Sequence, residues 1–452
     1  MAFEQEIEYS INNFRFTYPA SERAIVWAGE HQISKGERIL LSGASGSGKS
    51  TLLYGLMGLI PENVYGQVQG DIQYRGKSII QFPEHINGKA GLILQNPAAQ
   101  MLCRTVREEL AFGLENQELA VKEILQQIKE WSARFEIEEL LERETSSLSG
   151  GEKQKVTLLS ILMTHPDVLM LDEPTAFLDP QSAQEIMAII QNYHTDKTLI
   201  FVEHNLNYLR ELITRNLHLN VDGEVIDQSA AAINWQSPLP YLEKSNTGKV
   251  LLQLGNIRFS YSEKELLKGI DLKLRQGEIT TIKGRNGSGK STLLRIIAGL
   301  QGKYSGEILL TGEKVKGKDS KRLNKEIGML FQNPENHFLY NNVERELSGY
   351  GEDNITAEFL NKKQQSPFTL SEGEKRRLST AIACNADKRI LLLDEPTFGQ
   401  DNLNKQKLIH LLGSLREKGL GILIVSHDEA FVQAVSNRIF ELKAGKLQEQ
   451  TD

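Results

Sequence analysis

A chain of 452 residues is too long for one ordinary hydrophobic core and predicts two or more domains. Its content of 40% apolar and 25% charged residues is that of a globular protein in water, and no apolar run approaches the roughly 18 to 20 residues that a membrane helix needs. A formal net charge of −7 argues against a large nucleic-acid footprint, so no nucleic-acid partner is expected.

The opening stretch MAFEQEIEYS has neither a basic region nor an apolar core, which predicts a chain that stays in the cytoplasm. Cys103 and Cys384 are far apart and lack C-x-x-C spacing, so two reduced thiols are expected rather than a zinc or redox site. The nine histidines show no metal-ligand spacing either.

In chain order, the stretch FRFTY ends at Tyr18, and the apolar RILLS at 38–42 predicts a short strand. GASGSGKST at 43–51 follows and fits the pattern G-x-x-x-x-G-K-[ST]; LLYGLM at 52–57 then reads as the start of a buried helix. Strand, glycine-rich loop and helix in that order make a phosphate cradle. Gly43, Ser45, Gly46 and Gly48 let main-chain N–H groups turn inward, and the helix N-terminus adds partial positive charge. Lys49 reaches the β- and γ-phosphates, Ser50 ligates Mg²⁺, and Thr51 completes the loop.

LILQNP ends at Pro97, and a charged helical stretch fills 120–143. LSGGE lies at 148–152, LMLDEPT at 169–175 and LIFVEH at 199–204, with buried strands predicted over 168–171 and 198–202. Residues 229–250, rich in Ser, Ala, Asn and Pro and without periodicity, read as a linker.

Beyond it the order repeats. IRFSY ends at Tyr261, and GRNGSGKST at 284–292 supplies a second loop with Gly284, Asn286, Gly287, Gly289, Lys290, Ser291 and Thr292. MLFQNP at 329–334, LSEGE at 370–374, LLLDEPT at 391–397 and ILIVSH at 422–427 follow, with strands predicted over 389–393 and 421–425. Six motifs in one order, twice, mark an internal duplication with domains at 1–228 and 251–452.

Each half alternates apolar strands with helices, the pattern of an α/β domain with a largely parallel sheet. Gln95 to Leu148 spans 53 positions but Gln332 to Leu370 only 38, so the second half's helical insertion is shorter by 15. From Ser149 to Asp172 and from Ser371 to Asp394 the spacing is 23 in both.

With these motifs assembled, the chain resembles a tandem pair of ATP-binding cassette (ABC) nucleotide-binding domains, and the likeness covers all but the linker and the extreme termini. It implies two P-loop NTPase domains, each with a RecA-like core, an antiparallel β subdomain and an inserted helical subdomain. It also implies a head-to-tail sandwich that hydrolyses ATP with Mg²⁺ at the interface.

The residue roles implied by the resemblance follow. Tyr18 and Tyr261 stack on adenine. Gln95 and Gln332, with Ser50, Ser291, Asp172 and Asp394, complete the Mg²⁺ shell. Glu173 and Glu395 polarise the attacking water, and His204 and His427 contact the γ-phosphate and position that water. Ser149, Gly151, Ser371 and Gly373 belong to the signature motifs, each closing over the nucleotide on the other half's loop, and Asp179 and Asp401 cross the same interface. Phosphoryl transfer needs such a set because it rests on positioning and charge neutralisation.

The site on Lys49 therefore faces Ser371-Glu372-Gly373, with Glu372 where glycine is usual. Two readings stay open: the carboxylate repels the γ-phosphate and slows that site, or it points away and is tolerated. Both halves keep their Glu and His, so both sites are expected to turn over.

No membrane helices, basic linker or cysteine-rich modules accompany the cassettes, unlike exporters, translation-associated pairs and repair types. QNPAAQML at 95–102 and TVREELAFGLEN at 105–116 are similar to the ATPases of energy-coupling factor importers. In those, this segment is a groove for coupling helices of a transmembrane component. The second half keeps QNPEN and VEREL but has Ser-Gly-Tyr after Leu347. The resemblance implies a peripheral motor on the cytoplasmic face of the membrane, with integral-membrane transport and substrate-binding subunits and a vitamin or other micronutrient as cargo. The alternative is a soluble tandem ATPase in translation or regulation, or the motor of another importer class.

Overall fold

The computed structural model describes residues 6–19, 24–44, 46–175, 178–193, 197–203, 206–220, 222–233, 235, 238–243, 247–261, 265–315, 320–348, 357–370, 372–384, 388–398 and 400–450. The chain divides into two compact units, residues 1–236 and 237–452.

In the first unit, strands Ile25–Ser34, Ile7–Thr17, Gln67–Tyr74 and Lys77–Ser78 form an antiparallel sheet in that spatial order. Along Ile7–Thr17, Tyr9 and Ile11 are buried in the same cluster as Phe14 and Phe16, because an irregularity in the pairing between Asn12 and Phe14 shifts the alternation by one residue. A second sheet runs Val225–Ser229, Arg215–Leu219, Arg38–Gly43, Thr198–Val202, Val168–Asp172 and Ala90–Ile93, parallel except for its first strand. Val168–Asp172 and Thr198–Val202 are buried at every position, as central parallel strands covered on both faces must be.

The second unit repeats both sheets. Glu265–Arg275, Val250–Ser260, Ser305–Leu310 and Glu313–Lys314 make the antiparallel one. Ile327–Leu330, Ile390–Asp394, Gly421–Val425, Ile279–Lys283, Arg438–Lys443 and Lys446–Gln450 make the other, parallel except for its last strand.

The helical insertions differ as their lengths predict. In the first unit Thr105 caps helix Val106–Asn116 in a capping box with Glu108, and Val106, Leu110 and Leu114 are buried along one face. Helix Val121–Arg134 packs Ile124, Ile128 and Trp131 into the same cluster. In the second unit the described part of the insertion is one turn, Val343–Glu346, and a 3₁₀ segment, Ala357–Lys362. There Phe338, Val343, Phe359, Leu370 and Leu378 form a smaller core.

The segment read as a linker is shared between the units. Trp235 and Ile233 pack on the first unit's core, and the Trp235 indole donates to Ala230 O at 3.2 Å. Leu239 is buried in the second unit, Leu242 N donates to Ala434 O at 2.8 Å, and Arg416 Nη1 donates to Glu243 O at 2.7 Å. Aperiodic composition hid the second unit's docking points, because Leu242 and Glu243 meet residues far away in the sequence.

Candidate functional site

In the first unit Arg38–Gly43, Thr198–Val202 and Val168–Asp172 are adjacent and parallel, so their C-terminal ends converge. That brings the loop at 43–51 beside Asp172 and Glu173, the place where open parallel sheets bind ligands. Ile279–Lys283, Gly421–Val425 and Ile390–Asp394 do the same in the second unit.

Glycine is required where the loop leaves its strand and enters its helix. A Cβ on Gly43, at φ 143°, would lie 2.3 Å from Leu219 O, and one on Gly48, at φ 104°, would lie 2.0 Å from Ile25 Cγ2. Gly284 and Gly289 repeat this, at 2.5 Å from Leu442 O and 2.9 Å from Leu267 Cδ2. At Gly46 and Gly287 a Cβ would meet nothing, so these face open space.

The helices Lys49–Leu56 and Lys290–Ile297 begin at the lysines, whose side chains fold back over the loop. Lys49 Nζ donates to Gly43 O at 2.9 Å and Ala44 O at 3.0 Å; Lys290 Nζ donates to Gly284 O at 2.5 Å and Arg285 O at 2.9 Å. An ammonium held over a glycine-rich loop at a helix N-terminus is a setting that suits phosphate oxygens. The Tyr18 and Thr51 hydroxyls are 3.0 Å apart and those of Tyr261 and Thr292 are 3.4 Å apart, which puts both aromatic rings beside their loops. Each ring also stands edge-on to a phenylalanine, Phe16 or Phe259, at 4.8 Å.

Asp172 and Asp394 end their strands buried. Burial pushes the Asp394 carboxyl up, while the Ser291 hydroxyl and the Lys290 ammonium pull it back. Its Oδ1 has no hydrogen-bond partner among the described residues. A buried carboxylate oxygen left over beside a hydroxyl is a donor set that suits Mg²⁺, which would polarise phosphate oxygens and spread the charge of the leaving group. Among the described residues no three His, Cys, Asp or Glu side chains could hold a metal alone.

Glu173 and Glu395 both sit at φ 50°, a left-handed conformation that costs a non-glycine residue of order 1 kcal/mol or more. Their N–H groups hold the turn by donating to Val202 O at 2.7 Å and Val425 O at 2.9 Å. Beyond this the halves part. Gln95 Nε2 donates to Glu173 Oε2 at 2.9 Å. Gln332 is exposed, and its side chain makes no hydrogen bond among the described residues. Glu395 accepts from His427 N at 3.3 Å, with His427 Nε2 3.5 Å from its Oε1. Burial, with Asp394 beside it, raises the Glu395 carboxyl to about 8 against the opposing pull of Lys290. Ser45, His204 and Ser371 lie outside the described residues.

Ser149 caps helix Gly150–Leu162 and exchanges main-chain and side-chain bonds with Glu152 in a capping box. A Cβ on Gly151 would come 3.2 Å from Ser182 Oγ, so this turn packs closely on the next element. Glu372 begins helix Glu372–Ala383, and its side chain lies outside the described residues. Gly373 is buried, and its carbonyl accepts from Gln400 Nε2 at 3.3 Å. Asp179 accepts from Ser182 N and Oγ, both at 3.1 Å, and Asp401 accepts from Asn404 N at 2.8 Å. Each aspartate thus caps its own helix.

The turns after the Gln motifs share a scaffold. Glu109 is buried and accepts from Leu102 N at 2.9 Å and Cys103 N at 2.8 Å, which leaves the Leu102 side chain 70% exposed. Glu346 does the same for Leu339 N at 2.5 Å and Tyr340 N at 2.6 Å, with Leu339 83% exposed. The change of sequence after Leu347 therefore leaves this turn intact.

Three residues escaped the sequence reading: Glu203, which accepts from Thr175 Oγ1 at 2.7 Å, Arg376 and His337. Superposing the repeats would have found them, since they stand opposite Ser426, Gln154 and Gln100.

The ABC transporter family model matches residues 30–176 and 267–398. The chain belongs to the ABC transporter family. It is a tandem ABC ATPase, an ATP hydrolase with two cassettes. Two relatives bear the names "Putative HMP/thiamine import ATP-binding protein YkoD", of Bacillus subtilis, and "Putative ABC transporter ATP-binding protein", of Methanosarcina mazei. The first is 31% identical over 96% of this chain and 89% of its own length. The second is 29% identical over 98% of this chain and 94% of its own length. Among solved structures, a chain in "Model of ribosome-bound archaeal Pelota and ABCE1" matches at a TM-score of 0.67 and 21% identity, over 96% of this chain and 78% of that one. At that identity the match speaks for the tandem ABC fold alone.

Proposed function

We propose that this ABC ATPase is the motor of an energy-coupling factor importer, peripheral on the cytoplasmic face of the membrane, that drives uptake of a vitamin or other micronutrient. The observation that carries the reading is the exposed leucine after each Gln motif, Leu102 and Leu339, presented by a buried glutamate that pins the turn beneath it. A protruding apolar side chain on a rigid turn suits a groove for a membrane partner's helix. The relative named for HMP/thiamine import adds weight, as does the absence, among the described residues, of a helix long and apolar enough to cross a membrane. Transport subunits in the membrane, one of them binding the substrate, complete the importer.

In this reading Lys49 and Lys290 hold the β- and γ-phosphates, and Tyr18 and Tyr261 stack on adenine. Ser50, Gln95 and Asp172, and Ser291, Gln332 and Asp394, are the Mg²⁺ shells. Glu173 and Glu395 orient the attacking water, with His204 and His427 at the γ-phosphate. Each signature serine closes over the other half's nucleotide.

Affinity purification of the full chain from its own membranes tests the reading. Recovery with an integral-membrane partner, lost in Leu102→Glu while ATP still binds, is the expected result. Recovery with ribosomes and no membrane protein would replace it with a translation role.

A further inference from the structure

The helix behind each signature motif lies against the turn that follows the Gln motif, but the contacts differ between halves. In the second half Arg376 is buried at 2% exposure, and donates through Nη1 to Phe331 O at 3.1 Å and through Nη2 to Gln332 O at 2.6 Å. Two neighbours on the same helix, the residue before it and the one three after, reinforce it. Lys375 Nζ pairs with Glu335 Oε1 at 2.6 Å, and Ser379 Oγ contacts His337 Nδ1. The other imidazole nitrogen of His337 is 2.5 Å from Met329 O, so that nitrogen carries the proton and Nδ1 accepts from the serine hydroxyl. The Arg376 guanidinium also lies over the Phe398 ring at 5.5 Å, three residues past Glu395.

The equal spacing of 23 residues from signature serine to aspartate pairs Arg376 with Gln154 and Ser379 with Thr157. Gln154 and Thr157 are buried at 1% and 2% exposure, yet Gln154 Oε1 and Thr157 Oγ1 have no partner among the described residues. The first turn closes on itself: Gln100, opposite His337, accepts from Leu94 N at 2.6 Å and donates to Leu92 O at 2.8 Å. Gln95 is fixed by its side chain on Glu173, whereas Gln332 is fixed by its carbonyl on Arg376.

We propose that Arg376 is a positioning residue of the second nucleotide site: it latches helix Glu372–Ala383 to the Gln332 turn so that the two move as one piece. In the first half, turn and helix move separately. Charge-assisted hydrogen bonds to two successive carbonyls from a buried cation are strong enough to do this, and a neutral glutamine cannot span both. Any displacement of the signature helix in the second half then carries Gln332 with it. The inference rests on the metal role proposed for Gln332, not on the importer reading.

Arg376→Gln, which copies the first half, tests it in the full chain, with Arg376→Lys beside it. Hydrogen exchange of the amides at 335–338 is expected to rise about tenfold in Arg376→Gln while helix 372–383 holds its protection. Equal acceleration in both segments, or in neither, overturns the latch. On a Lys49→Ala background, which confines a fluorescent ATP analogue to the second loop, Arg376→Gln is expected to raise the Mg²⁺ needed for half-maximal binding severalfold. Arg376→Lys is expected to restore it to within about twofold, since one ammonium reaches one carbonyl. An unchanged Mg²⁺ dependence in Arg376→Gln overturns the positioning role. Gln332→Ala separates the two claims: no Mg²⁺ effect there sinks the metal role of Gln332, while the exchange data still judge the latch. Gln154→Arg, which adds a latch to the first half, is expected to slow exchange at 98–101; no slowing counts against the geometry itself.

Discussion

Glu8 in the first half and Leu251 at the same place in the second show how differently one fold can be held together. Glu8 is buried at 1% exposure and accepts from Arg75 Nε at 2.9 Å and Thr198 Oγ1 at 3.3 Å, while the rings of the flanking residues Tyr9 and Tyr74 pack 5.2 Å apart. Arg75 reaches on to Asp167 at 3.0 Å, which ties the antiparallel sheet to the core. In the second half Leu251, Leu252 and Leu310 fill the same space with hydrocarbon. The duplication has kept the nucleotide loop and strand ends while its supports diverged, so conservation within the repeat tracks chemistry more closely than packing.

That contrast is easiest to break at its most costly point. Arg75→Ala leaves Glu8 buried without its charge partner and is expected to destabilise the first unit by about 3 kcal/mol, read as its denaturant midpoint. Replacing Glu8 by leucine and Arg75 by threonine, the residues that Leu251 and Thr311 supply at these places in the second half, is expected to recover most of that loss. No recovery would mean that the ionic cluster does more than fill space.

A second difference is readable in pH. Burial raises Glu395 above its unfolded value, so the stability tied to its protonated form is full below about 4.5 and lost as pH rises towards 8. The melting temperature of the nucleotide-free protein is expected to fall over that window relative to Glu395→Gln. Parallel curves would show that Glu395 is not held in its protonated form.

His337 runs the other way. Burial lowers its imidazole to about 4, so its contribution is complete above about 6.5 and lost as pH falls towards 4. His337→Gln, the first half's choice, is expected to flatten this acid limb by a few degrees of melting temperature. A smaller effect is expected from Tyr18→Phe. It removes the bond to Thr51, and ATP affinity is expected to fall about two- to fivefold, against less for Tyr261→Phe with its longer contact. Equal losses in both would remove the distinction.

Strands, loops and carboxylates were legible in the sequence because each depends on local pattern. Apolar runs ending in Asp-Glu became the buried strands Val168–Asp172 and Ile390–Asp394, and Gly43, Gly48, Gly284 and Gly289 sit where a Cβ would clash. The supports were not legible. Arg376 and Phe331 are 45 residues apart, and nothing near either announces the pairing. The linker's docking residues were hidden for the same reason: Leu242 meets Ala434 across nearly the whole second unit. The Gln-Asn-Pro turn of the second half survived a changed sequence because Glu346 supplies the bond that Glu109 makes in the first.

Two turning-over sites in one chain are tested most directly by steady-state ATPase of Glu173→Gln and Glu395→Gln, singly and together. Each single change is expected to reduce the rate substantially, and the pair to reduce it by a factor on the order of 10² or more. An unchanged rate in Glu173→Gln, with none left in Glu395→Gln, would show that one site alone does the work.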